Sequence, residues 1–358
     1  MKTIEICPKP SLSSKNSESL LVQTNSIGFK YAQACGYFPL SINYNSARNN
    51  HQFLTFPHTF LLNYTRLLLV GQSCWLLIYL LNQIRLFYSS SDFQFTITYL
   101  GHMFWALIGV GLFIAIRVKR LCGREETLFL WTNITILHEK LLQHLSKTQS
   151  KFRHSYAFKR ERRWLKIRVI LCILSAIICF IVDFIYKIVL PLILRKIEDP
   201  VQNGLSLIWA MFVVLHTAHA VALLGFMNFF TTCFKSLYDS FCIGNSYMNK
   251  EYRELLHIFK ELETLVAEFN LQYGFDFSAT IVTCTLQISL GLFNLLLFSR
   301  VDQLVGCVSV IIVLTLDLWA FCSQGSYMTR YASQVVELFE KVSFKTFDSD
   351  LKTQVSFL

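Results

Sequence analysis

A chain of 358 residues in which 53% are hydrophobic and only 16% charged has too little polar surface to coat a water-soluble globule, where roughly a quarter of residues are charged. Its 32 phenylalanines and mean hydropathy of +0.44 call for lipid as solvent. The net charge of +10 raises nucleic acid as a partner; the placement of that charge, below, excludes it.

Residues 1–58 read as a polar N-terminal segment. Met1 to Leu20 lacks the apolar core of a cleavable signal peptide, so the first membrane helix is expected to act as the insertion signal. A span needs about 20 mostly apolar residues, and six segments qualify within 59–324: 59–83, 93–116, 167–190, 205–231, 277–299 and 303–324. A short polar loop at Ser89-Ser90-Ser91-Asp92 separates the first two. Pro191 closes the third, Glu198-Asp199-Pro200 opens the fourth, and Arg300-Val301-Asp302 makes a tight hairpin between the last two. Residues 325–358 form a C-terminal helical segment.

Lys and Arg in the loops set the orientation. The N-terminal segment, the loop between spans two and three, the loop between spans four and five and the tail together hold 26, and the alternate loops hold 5. The basic cluster Lys159, Arg160, Arg162, Arg163 lies on the richer side. That side is expected to be cytosolic, with both termini inside. The net charge is therefore mainly topological, and no nucleic-acid partner follows. Most of the 11 cysteines fall within apolar segments and none in an outer loop, where free Cys packs as a small hydrophobe; no disulfide framework is expected. The sequons at Asn63 and Asn133 lie in a span end and an inner loop, so neither is expected to carry glycan.

Two inner segments have helical periodicity. Leu255, Phe259, Leu262, Val266 and Phe269 recur at three- and four-residue steps, as do Val335, Leu338, Phe339 and Val342. Such stripes lie on the membrane, pack on each other, or join subunits; periodicity alone leaves these open.

Ionisable groups within spans are costly and mark candidate sites. Asp183 has Lys187 one turn later, and Asp317 lies in the sixth span. The fourth span places Trp209, Phe212, His216 and His219 on one face. The second offers Tyr99, His102 and Trp105 in its outer half, and the fifth offers Phe293 and Asn294. With Asp183, these make a candidate ligand-binding set, since small-molecule pockets are mostly apolar with a few placed polar groups. The two histidines have no acidic or cysteine partners nearby in sequence, so no metal is expected, and no cofactor. Neither G-x-S-x-G, H-E-x-x-H, a glycine-rich phosphate loop nor C-x-x-C occurs, and no enzyme activity is expected.

From about Ile27 onward the chain resembles the insect gustatory receptor family. The features that carry the likeness are the inside N-terminus, Gly36-Tyr37-Phe38-Pro39 ahead of the first span, the basic loop between spans two and three, the charged helical loop before span five, and the hairpin between spans five and six. The resemblance implies an all-α, seven-span fold of inverted topology. It further implies a ligand-gated cation channel of four subunits, homomeric or heteromeric, in the plasma membrane, with the inner helices as inter-subunit anchor and a small-molecule tastant held in the outer half. The family's most specific signature, Thr-Tyr followed after five hydrophobic residues by Gln-Phe in the seventh span, does not occur; Thr98-Tyr99 lacks the Gln-Phe. The expectation is a chain that stops before the pore helix, which leaves a non-conducting or regulatory subunit as one alternative. A secondary transporter, with Asp183 and Asp317 as coupling sites, is another.

Overall fold

The structure, a computed structural model, describes residues 20–37, 41–45, 50–54, 59–89, 93–147, 151–194, 200–243, 249–297 and 301–345. Among these residues, six helices are long and apolar enough to cross a membrane. The architecture is all-α but for one short antiparallel hairpin, β1 (Ser41–Asn45) and β2 (Asn50–Leu54), in which Ser41 pairs with Leu54 and Asn45 with Asn50.

Ahead of the hairpin runs α1 (Leu20–Ala34). Its stop is local chemistry. Gly36 has φ +73°, a conformation that costs a side chain about 1–2 kcal/mol. Its N–H donates to the Gln33 carbonyl while the Tyr37 N–H donates to the Ala32 carbonyl, the paired bonds of a Schellman cap. A Cβ at Gly36 would also stand 2.9 Å from Leu68 Cδ1. The segment placed ahead of the spans is thus partly inside the bundle: Phe29 and Ala32 are fully buried, and the Tyr31 hydroxyl donates to the Val214 carbonyl at 3.0 Å.

Span one is α2 (Thr59–Ser89). Span two is α3 (Phe93–Trp105), a π-helical turn at Ala106–Val110, and α4 (Gly111–Cys122). A separate helix follows, α5 (Arg124–Lys147), with Glu125 and Glu126 in its first turn, where negative charge suits the helix dipole. Span three is the C-terminal part of α6 (Lys151–Phe184), then a second π turn at Ile185–Val189 and α7 (Leu190–Ile193). Pro191 explains that turn: it has no N–H for the ladder, and its ring crowds the preceding turn.

The last three helices are continuous far beyond bilayer length. α8 (Pro200–Ile243) has 44 residues, α9 (Asn249–Leu297) 49 and α10 (Val301–Lys345) 45. What hydropathy divides into spans four to six and an inner loop is, in space, three unbroken rods. Proline at the first position of α8 suits a helix start. Beyond the spans the rods pack on each other: Phe234, Leu237 and Phe241 of α8, Tyr252, Leu255, Phe259 and Leu262 of α9, and Val335 and Phe339 of α10 are buried in one cluster. The described residues of both periodic stripes therefore face protein. α5 adds Leu130, Ile134, Leu137 and Leu141 against α9.

α8 is the axis of the molecule. In its most apolar window 83% of residues are buried, against 22% in α2 and 28% in span three. The outer spans instead expose Leu67, Leu77, Ile78 and Leu81 of α2, and Leu171, Leu174 and Ile178 of α6. An apolar surface of that extent suits lipid tails, with backbone groups satisfied inside each helix.

Candidate functional site

Away from the extensions of α8, α9 and α10, spans one, two and four meet in an aromatic stack, with Leu290 of α9 packed against it. α2 supplies Trp75 and Tyr79, four residues apart and so on one face, with ring centroids 5.0 Å apart. Trp75 lies against Phe212 of α8 at 4.5 Å. Trp105, at the start of the π turn, meets Tyr79 edge-on at 6.2 Å and Phe212 at 6.3 Å. All four rings are buried. Edge-to-face pairs of this kind contribute about 0.5–1.5 kcal/mol beyond area burial.

A polar node is set into that stack. His102 Nδ1 lies 3.1 Å from the Tyr79 hydroxyl, and its Nε2 lies 3.4 Å from Asn294 Nδ2 of α9. With the amide donating to Nε2, the imidazole proton sits on Nδ1 and is donated to the Tyr79 oxygen. The Tyr79 hydroxyl hydrogen is then left to give. Nearby buried polar atoms lack protein partners too: Trp75 Nε1, Asn294 Oδ1 and, along the same helix, Gln287 Oε1 and Thr283 Oγ1. Buried polar atoms are paired in most proteins, so Trp75 Nε1 and Asn294 Oδ1 leave surplus hydrogen-bonding capacity at this stack.

Of the residues singled out in sequence, His102, Trp105, Phe212 and Asn294 are brought together here. Tyr99 and Phe293 are half-buried and stand outside the ring contacts of the stack. Trp209 lies in α8, and its side chain falls outside the described residues. Asp183 sits apart. It is buried, 3.3 Å from Lys187 Nζ, and packs so tightly over Gly306 of α10 that a Cβ there would come within 2.9 Å of Oδ1. His216 also sits apart, one turn along α8. Its Nε2 is 3.4 Å from the Cys284 thiol and its Nδ1 3.5 Å from Asp317, which accepts a 2.9 Å hydrogen bond from Thr217. Asp317 thus ties α8 to α10. Trp75 and Tyr79 belong to the site though the sequence did not single them out; their four-residue spacing is the signal.

A second polar group occupies the opposite end of span two. Phe113 packs edge-on against His216 and His219, and Tyr37 lies 5.2 Å from His219. Arg117 donates to Gln72 Oε1 at 2.6 Å and to the Cys35 carbonyl at 2.5 Å. One turn on, Arg120 pairs with buried Asp276 of α9 and lies 3.4 Å above the Tyr273 ring. Among the described residues no group of three or more His, Cys, Asp or Glu is arranged to hold a metal ion.

Compared by structure, the molecule resembles the insect olfactory receptor OR5 from Machilis hrabei with a TM-score of 0.65, covering 94% of this chain and 87% of that one at 9% identity. The same receptor in complex with eugenol gives a TM-score of 0.62 over the same shares at 12% identity. The chain has the fold of an insect olfactory receptor. By sequence it matches no family model and no curated protein. The likeness is carried by the path of the helices and not by residue identity.

Proposed function

We propose that this protein is a chemoreceptor subunit of the gustatory kind, a ligand-gated cation channel that senses small-molecule tastants in the plasma membrane. The observation that carries this reading is the His102 node. It sets a hydroxyl donor at Tyr79, an indole donor at Trp75 and an amide acceptor at Asn294 inside an aromatic stack. Such a site suits a small, mostly apolar molecule with a ring and one or two hydrogen-bonding groups. The eugenol complex of the receptor that shares this fold supports a ligand of this class, eugenol being a small phenol. Occupancy acts by binding one state of the channel more tightly than the other, and can shift the equilibrium only by that difference. We place the N-terminus in the cytosol on the Lys and Arg asymmetry, and the assembly as a homo- or heterotetramer in which the extensions of α8, α9 and α10 meet their neighbours. Tyr99, Phe293 and Trp209 extend the proposed ligand-facing set, while His216 and Asp183 stand apart from the node.

The test is whole-cell current from the expressed full chain, alone and with a related subunit, against a panel of small phenols, aldehydes and terpenoid alcohols. The expected result is a ligand-evoked cation current that His102→Ala abolishes while surface expression persists. Uptake of the compound without current would instead favour a carrier, and a current unaltered by His102→Ala would remove the node from the mechanism.

A further inference from the structure

Among the described residues the Arg117 cluster is a charge without a counter-charge. The side chain is 1% exposed, and its partners are an amide oxygen, a backbone carbonyl and the Tyr37 ring, 4.2 Å from the guanidinium carbon. None of these is a carboxylate. The neighbouring arginine differs, since Arg120 has Asp276. Burying an unpaired cation costs several kcal/mol even after relaxation. The carboxyl end of α1, through the Cys35 carbonyl, offers at most about half an opposite charge. The Cys35 thiol offers none at neutral pH, because burial pushes it up to about 11.

The donor count points the same way. Arg117 uses one N–H on each terminal nitrogen, and its Nε–H has no acceptor. Gln72 accepts from Arg117 through Oε1, and its Nε2 donates to nothing. The Tyr37 hydroxyl lies beside the Arg117 and Gln72 side chains, and its own hydrogen has no acceptor among the described residues. Gln72, Tyr37 and Arg117 are each more than nine-tenths buried. Three helical elements (α1, α2 and α4) therefore converge surplus donors and one full positive charge on a single buried point. The spot is separate from the His102 node, which lies fifteen residues earlier along span two, roughly 22 Å away at helical rise.

We propose that Arg117, Gln72 and Tyr37 form a binding site for a small monovalent anion of the halide class, which seats the C-terminal turn of α1 against spans one and two. A water molecule would satisfy the donors but leave the charge; an anion does both. Binding to the folded state alone raises stability with the logarithm of free anion once the site is mostly filled.

The experiment is thermal unfolding of the full chain in lipid nanodiscs, followed by tryptophan fluorescence, as potassium chloride replaces potassium gluconate at fixed ionic strength. The midpoint is expected to rise saturably with chloride. Gln72→Leu, which removes the unpaired amide donor, is expected to raise the half-effective chloride concentration about tenfold. Arg117→Gln is expected to erase the dependence; if that variant does not fold, Gln72→Leu and Tyr37→Phe carry the test. In a bromide-soaked crystal, anomalous density is expected within hydrogen-bond reach of Arg117 Nε. A midpoint indifferent to the anion would overturn the proposal and leave Arg117 as a structural cap of α1. A chloride effect that persists undiminished in Gln72→Leu is a bulk salt effect and overturns it equally.

Discussion

Two aromatic clusters in this molecule are made of similar residues and differ in how their polar atoms are met. In the extension of α8, α9 and α10, Phe241, Tyr252, Phe259 and Phe339 interlock with centroids 4.6 to 6.0 Å apart, and the Tyr252 hydroxyl donates to the Phe339 carbonyl at 2.9 Å. Around His102 the rings pack as closely, yet Trp75 Nε1 and Asn294 Oδ1 have no protein partner. The first cluster is closed chemistry, and the second is open. An aromatic cluster whose polar atoms are all met holds a fold together, whereas one with surplus donors and acceptors keeps hydrogen-bonding capacity in reserve.

Substitutions separate the two. The largest expected effect is Phe339→Ala, which should cost about 3–5 kcal/mol and lower the unfolding midpoint of the purified protein while leaving the potency of any ligand on surviving receptors unchanged. If Phe339→Ala shifts potency instead, the closed cluster is part of the sensing machinery and the contrast fails. Next come the two tyrosines. Tyr252→Phe should cost about 1 kcal/mol of stability with no change in potency. Tyr79→Phe strips the buried His102 N–H of its acceptor, so it should cost about 1–3 kcal/mol of stability and, unlike Tyr252→Phe, also weaken ligand potency about tenfold, the worth of about 1.4 kcal/mol. Dose–response curves and melting curves on the same pair of variants decide it. The smallest effect is expected at the half-exposed ion pair of Lys140 with Glu261 between α5 and α9. Lys140→Ala should change stability by less than about 1 kcal/mol, and a larger loss would show that α5 docks through charge more than through its buried leucines.

The helices were legible where hydropathy or periodicity is strong. The stripe from Leu255 to Phe269 and the pair Val335 and Phe339 announced buried faces, because a core residue every three or four positions leaves a pattern along one chain. α1 left none: Phe29 and Ala32 are buried amid Asn25, Ser26 and Lys30, and small residues packing into a bundle carry little hydropathy. The π turns were likewise hidden, since one extra residue in a turn rotates every later side chain without altering composition. For that reason the face carrying His102 and Trp105 could be named, while its partners on α2 could not. The rotation of α2 about its own axis, which points Trp75 and Tyr79 inward, is fixed by contacts with two other helices. Asp183 and His216 looked like pocket residues by depth alone, and depth does not distinguish one side of a span from another.

The unbroken length of α9 has a mechanical consequence. Forty-nine residues make a rod about 74 Å long, with Asn294 near one tip and Tyr252 near the other. Pivoted at one end, such a rod amplifies: a rigid tilt of about 5° displaces the far tip by roughly 6 Å, more than a full helical turn. A displacement at the Asn294 end is therefore coupled through one rigid helix to the Tyr252 end, which is built into the Phe339 cluster.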